Sequence, residues 1–179
     1  MIRRLVLLLL LSLPSLPAAT SSAGWKQFSN TQGNFTILFP GVPQYSAEKD
    51  KDMVYHSART VIGKNAIYQV DWMNTGQLFK KSPDLKASFA EFKTNFLEGM
   101  GKCTVISDGP ASPALQNYIG WRHVCHAPND SGIEVTHSIT VHYGKSNCYI
   151  LSVLWPTAEK EPPEVARFIQ SFRLLDPSR

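Results

Sequence analysis

His123, Cys125, His126, His137 and His142 bring four imidazoles and a thiol into one short stretch of the chain. Zinc and copper accept such ligands. If residues 117–127 and 133–143 are consecutive antiparallel strands joined by the shortest loop, His123 faces His137, and Cys125 faces Val135 on the same side. That makes His123, Cys125 and His137 the metal candidates. Their spacing matches no recognised zinc motif, and a one-residue slip would scatter them to opposite faces. The same face carries Ile119, Trp121, Ile139 and Val141, so the plainer reading is a histidine pair at the edge of a core. No metal and no cofactor is expected.

The three cysteines are Cys103, Cys125 and Cys148, an odd count that allows one disulfide and leaves one thiol. A hairpin centred near Pro113 would set Cys103 opposite His123 and make Cys125 its diagonal neighbour on the same face. Cys103 and Cys125 are therefore the expected disulfide. Cys148 is expected to stay free, opposite His142 on the other face.

That other face carries Glu134, Thr136, Ser138, Thr140 and His142, with Tyr118, Arg122 and His126 from the neighbouring strand. An entirely polar row is either a sheet face open to water, normal for antiparallel sheets, or the wall of a binding surface. Tyr118, Arg122, His126, Glu134, Thr136 and His142 are the candidate binding residues. Catalytic candidates are lacking: there is no GxSxG turn, no Gly-rich phosphate loop and no paired-carboxylate motif. The chain reads as a non-enzyme, with a small hydrolase as the weakest alternative.

Elements that must position these groups follow from periodicity. Phe35, Ile37 and Phe39 alternate with polar residues, the sign of a half-buried strand, and Pro40-Gly41-Val42-Pro43 ends it. Residues 52–62 and 66–73 form a second pair about Gly63-Lys64-Asn65, with Ala66, Tyr68, Val70 and Trp72 on one face. The sign-alternating run Glu48-Lys49-Asp50-Lys51-Asp52 between the pairs reads as a solvated loop. Ser82 can cap a helix opened by Pro83, in which Leu85, Phe89, Phe92, Phe96 and Met100 make an apolar stripe that Gly99 and Gly101 stop. Extended segments at 103–108, 117–127, 133–143 and 147–155 come next, joined by connections short enough for antiparallel neighbours. Glu161-Pro162-Pro163-Glu164 opens a last helix with Val165, Phe168, Ile169 and Phe172 on one face, and residues 173–175 extend into a tail strand. Strands in two groups, each followed by a helix, predict an α+β fold, an antiparallel sheet covered by helices.

The first 23 residues address the chain. Arg3 and Arg4 precede an apolar run from Leu5 to Leu11, then Pro14, Pro17 and small residues to Ala23. This is the layout of a secretory signal peptide, and the run is far short of the about 20 residues a spanning helix needs. Cleavage after Ala23 is expected, with Ala19 the alternative, leaving residues 24–179 as one domain in the periplasm or secreted, with no stable membrane span. Loss of Arg3 and Arg4 takes the formal charge from +4 to +2, too little to argue for nucleic acid.

Phe28 to Pro43, reading FSNTQGNFTILFPGVP, resembles the opening of the PsbP-like and Mog1-like group, which includes exported bacterial relatives of unknown role. Phe168-Ile169-Gln170-Ser171-Phe172 is similar to the closing helix of that group. The resemblance implies a central antiparallel sheet flanked by helices, an α/β/α sandwich, and binding rather than catalysis. Members of the group serve photosystem II or bind a small GTPase; export puts a cytosolic or nuclear GTPase out of reach, and no residue here matches a photosystem site. The expected function is an exported, non-enzymatic domain that engages a protein or another envelope component, with a metal-binding protein built on the histidine-rich meander as the competing class.

Overall fold

Period-two alternation dominates this chain, and strands dominate its structure. The computed structural model describes residues 24–50, 53–63, 66–79, 84–129 and 131–176. The leader at 1–23, the turn residues Lys64 and Asn65, and Ser82 and Pro83 lie outside the described residues. The strands are β1 (Lys26–Asn30), β2 (Phe35–Phe39), β3 (Gln44–Asp50), β4 (Met53–Ile62), β5 (Ala66–Asn74), β6 (Thr104–Pro110), β7 (Tyr118–Pro128), β8 (Glu134–Gly144), β9 (Asn147–Pro156) and β10 (Arg173–Leu174). The helices are α1 (Gly76–Phe79), α2 (Leu85–Met100) and α3 (Glu164–Gln170). Every pairing is antiparallel. One sheet has three strands in the order β1-β2-β10, and the other has seven in the order β3-β4-β5-β9-β8-β7-β6.

This corrects the expected α+β sandwich flanked by helices. The molecule is a β-rich fold of two antiparallel sheets, in which helices are the minor part of the cover. The reason is visible in β2. A hairpin alone is marginally stable in water, so Phe35, Ile37 and Phe39 bury themselves on the large sheet against Tyr68, Val70, Trp72, Tyr149 and Leu151. α3 completes that layer with Val165, Phe168 and Ile169, and is tied to the small sheet where Leu38 N–H donates to Ser171 Oγ at 2.9 Å. The turn before β2 must press close. A Cβ on Gly33 would meet Trp72 Nε1 at 2.7 Å, and the Gly33 carbonyl accepts from Tyr149 Oη–H at 2.7 Å.

The opposite face of the large sheet carries a second core under α2. Phe92 and Phe96 are buried there with Trp121, Ile139, Val141, Tyr143, Cys148 and Ile150, and Leu85, Phe89 and Met100 of the expected stripe pack with them. The helix begins two residues later than its Ser82–Pro83 signal. Asp84 is the cap, its carboxylate accepting from Lys86 N–H at 2.8 Å and Ala87 N–H at 3.3 Å. Asp84→Ala should therefore cost about 1 kcal/mol of unfolding free energy in a urea titration. An unchanged midpoint would show that the helix is held by its packed face alone.

β3 is the strand that periodicity missed. Glu48, Lys49 and Asp50, expected in a solvated loop, continue it and pair with Tyr55, Val54 and Met53. Charge does not exclude a strand whose side chains stay exposed at a sheet edge, and β3 is such an edge.

Candidate functional site

At the opposite edge of the large sheet, β6 pairs with β7 through a break in register between Val105 and Ser107. Alternation along β7 points Trp121, His123 and Cys125 to the α2 side, where Trp121 and Cys125 join that core. Asp108 of β6 lies opposite His123. Its Oδ1 accepts from Trp121 Nε1–H at 2.6 Å and lies 3.0 Å from His123 Nδ1, while Lys93 of α2 donates to Oδ2 at 2.7 Å. The same ammonium sits 4.7 Å from the Trp121 ring centre. Burial works against ionisation of Asp108, but the hydrogen bonds from Lys93, Trp121 and His123 outweigh it and hold the carboxyl at about 2. An ionised carboxylate can only accept, so His123 carries its proton on Nδ1. In the neutral ring that leaves the lone pair on Nε2. That atom is buried and has no hydrogen-bond partner among the described residues.

Beside the His123 ring stand two sulfurs. One ring nitrogen of His123, Cys103 Sγ and Cys125 Sγ all lie within 4.8 Å of one another. Cys103 is half-buried; His123 and Cys125 are buried. Both sulfurs are free thiols, so the structure brings the expected disulfide partners together without an S–S bond. Burial, and then the hydrogen bond with the Cys103 thiol, pushes the Cys125 thiol up to about 12.

The expected registers need correction. Cys125 faces His137, and His123 faces Ile139, two residues from the pairing read off the shortest loop. An even slip preserves the face, so His137 remains on the same side as both. It is outside the group of three, although its Nε2 is likewise buried and without a partner among the described residues. Burial, with the charge of His123 second, pushes His137 down to about 4. Thr104 pairs with His126 and Val105 with Cys125, so Cys103 precedes the strand rather than facing His123. Cys148 lies opposite Tyr143 and Met73, buried under α2, not opposite His142 on the far face.

The expected polar surface is not a surface. Thr136, Ser138, Thr140 and His142 are buried on the face covered by the small sheet and α3. The His142 ring stacks on Phe172 with centroids 5.6 Å apart, and the Tyr118 ring lies 5.7 Å from Tyr149. Of the candidate binding residues, Arg122 and Glu134 are exposed and Tyr118 and His126 are half-buried. A row of hydroxyls implies a water-facing surface only while the second sheet is unknown, and nothing in β8 itself announces that cover.

Sequence reasoning also passed over Asp108 and Lys93. Asp108 closes the extended segment expected at 103–108, and its role depends on a β6–β7 register that no local pattern states. A third polar group is buried elsewhere: Gln69 Nε2 donates to both oxygens of Asp71 at 2.9 Å. Burial raises Asp71 to about 6 against the pull of Ser57, Gln69 and Arg59.

No protein-family model matches the chain, and no curated protein does. Among solved structures, a 1.50 Å crystal structure from Bacteroides thetaiotaomicron VPI-5482 is similar, with a TM-score of 0.45 and 9% identity over 86% of this chain. The chain spans 50% of that protein's length. None of these comparisons shows membership of the PsbP-like and Mog1-like group.

Proposed function

We propose that this is an exported, non-enzymatic domain that binds a protein partner along the free edge of β6. The observation that carries the reading is the contrast between the two edges of the seven-stranded sheet. β3 ends in Glu48, Lys49 and Asp50, charges of the kind that guard an edge against further pairing. Its exposed Tyr45 is engaged as well, hydrogen-bonded to His56 Nδ1 at 2.9 Å and stacked on that ring and on Trp72. β6 carries no such run of outward charges; its only interruptions are the bulge between Val105 and Ser107 and Pro110 at its end. Val105 and Ile106 are 54% and 55% exposed, and the one charged residue of the strand, Asp108, is turned inward to Lys93, Trp121 and His123. An apolar edge without outward charges is suited to strand addition, in which backbone hydrogen bonds give affinity and side chains such as Ile106 give choice of partner.

The test is capture from the native envelope by parent protein and by Ile106→Lys. An exposed position should leave stability within about 0.5 kcal/mol of the parent. Loss of a central anchor of about 2 kcal/mol should weaken recovery of the partner about thirtyfold. Equal recovery by Ile106→Lys would refute the edge, and no partner recovered by the parent would refute the function.

A further inference from the structure

The cluster beneath that edge has a chemistry of its own. We propose that Cys103, His123 and Cys125 form a zinc site, with His137 as the fourth ligand, a Cys2His2 set held in place by Asp108.

Three observations converge on it. The three groups named first already have their ligand atoms within 4.8 Å of one another. Around a tetrahedral zinc, bond lengths of about 2.3 Å to sulfur and 2.0–2.1 Å to nitrogen place ligand atoms roughly 3.3–3.8 Å apart, so contraction by about 1 Å closes the set. Second, His123 is prepared as metal-ligating histidines are: a carboxylate takes Nδ1–H and leaves Nε2, buried and without a partner among the described residues, for the ion. Asp108 is in turn fixed by Trp121 and Lys93, so the imidazole is held by a chain of contacts anchored in α2. Third, His137 stands directly across from Cys125 with its own Nε2 buried and unpartnered among the described residues. Two orphaned imidazole nitrogens on one sheet face, beside two thiols, are costly unless something takes their lone pairs.

Charge selects the ion. Coordination releases one proton from each thiol, and the two thiolates cancel the charge of a divalent cation. The centre is then neutral, as a buried site favours. Copper(I) with the same ligands would leave a net negative charge beside the Asp108 carboxylate. Tetrahedral S2N2 coordination likewise points to zinc. A disulfide between Cys103 and Cys125 is the competing fate of the same sulfurs, and it would destroy the site by removing both thiolates.

Cobalt(II) reports on such a site spectroscopically. The purified, reduced protein is expected to take up one equivalent with thiolate-to-cobalt charge-transfer absorption and tetrahedral d–d bands, displaced by one equivalent of zinc. Cys103→Ser, at the half-buried ligand, should weaken binding at least a hundredfold and diminish the charge-transfer band. His137→Asn should lose the tetrahedral bands. Asp108→Ala should weaken binding about 10–100-fold while keeping the charge-transfer band, as a positioning residue would, and Asp108→Asn should restore part of the affinity. Cys148→Ser and Ile106→Lys should bind as the parent does, which separates this site from partner binding. The proposal is overturned if the reduced protein shows no charge-transfer band, if Cys103→Ser leaves binding unchanged, or if the band depends on Cys148. Equal metal uptake by protein oxidised to the disulfide would overturn it as well. Unchanged bands in His137→Asn would overturn the four-ligand set.

Discussion

Phe92→Ala is expected to destabilise the protein by about 3–5 kcal/mol, the usual loss for a truncated core aromatic. Phe92 is 1% exposed at the middle of α2, and its ring centroid lies 5.0 Å from Tyr143, 5.6 Å from Phe96 and 6.4 Å from Phe89. Removing it forfeits the transfer energy of the ring and opens a void that its neighbours fill only in part. Tyr143 cannot simply swing inward, because its hydroxyl is hydrogen-bonded to Ser88 Oγ at 2.8 Å, one turn earlier in the same helix. Chemical denaturation of the variant beside Thr94→Ala, an exposed control on α2, measures the effect. Equal midpoints for the two would show that α2 is not the lid of the second core.

Acid should weaken the fold, with His142 as a principal cause. The imidazole is 2% exposed, stacked on Phe172, and opposite Gly120 and Tyr149 in the flanking strands. No ionised group stands opposite it there, and burial pushes it from 6.5 down to about 4. Between those values the unfolded chain takes up a proton that the folded state refuses. The contribution of His142 is therefore complete above about pH 6.5 and is lost as pH falls toward 4, a total of about 3 kcal/mol. His137 acts in the same direction. Asp71 acts in the opposite one: raised to about 6, it holds a proton that the unfolded chain has released, so its contribution grows with acid. The comparison that isolates His142 is His142→Phe. Between pH 7 and pH 4.5 the parent should lose about 2 kcal/mol more than the variant. Parallel losses in both proteins would mean that His142 gains a partner for its proton when folded.

Much of the strand and helix inventory was legible because it is written in local periodicity. β2, the β5 face Tyr68-Val70-Trp72, the stripe of α2 and the Val165-Phe168-Ile169-Phe172 face each declare themselves within a few residues. What was illegible depends on residues far apart. The three-stranded sheet is a cover for Thr136, Ser138, Thr140 and His142 only because β2 and α3 meet above them, and no local pattern states that. Register was recoverable only in parity: the loop between β7 and β8 moved Cys125 from Val135 to His137, an even step that kept the candidate ligands on one face. The β6–β7 turn did more damage: Asp108, five residues beyond Cys103, is what faces His123, and the bulge accounts for only one of those five. The histidines and cysteines of the site are legible in the sequence; Asp108, Lys93 and the relations that join them are not.

The small sheet also sets a schedule. β2 takes β1 as one neighbour and β10 as the other, and Asn34 is latched to the far end of the chain by Asp176 N–H donating to its side chain at 2.9 Å. During synthesis β2 waits with an unpaired edge and three bare aromatic and aliphatic side chains until residues 173 and 174 emerge. Until then the cover of the first core is incomplete at Leu174. The small sheet therefore gains its third strand only after every strand of the large sheet has been made.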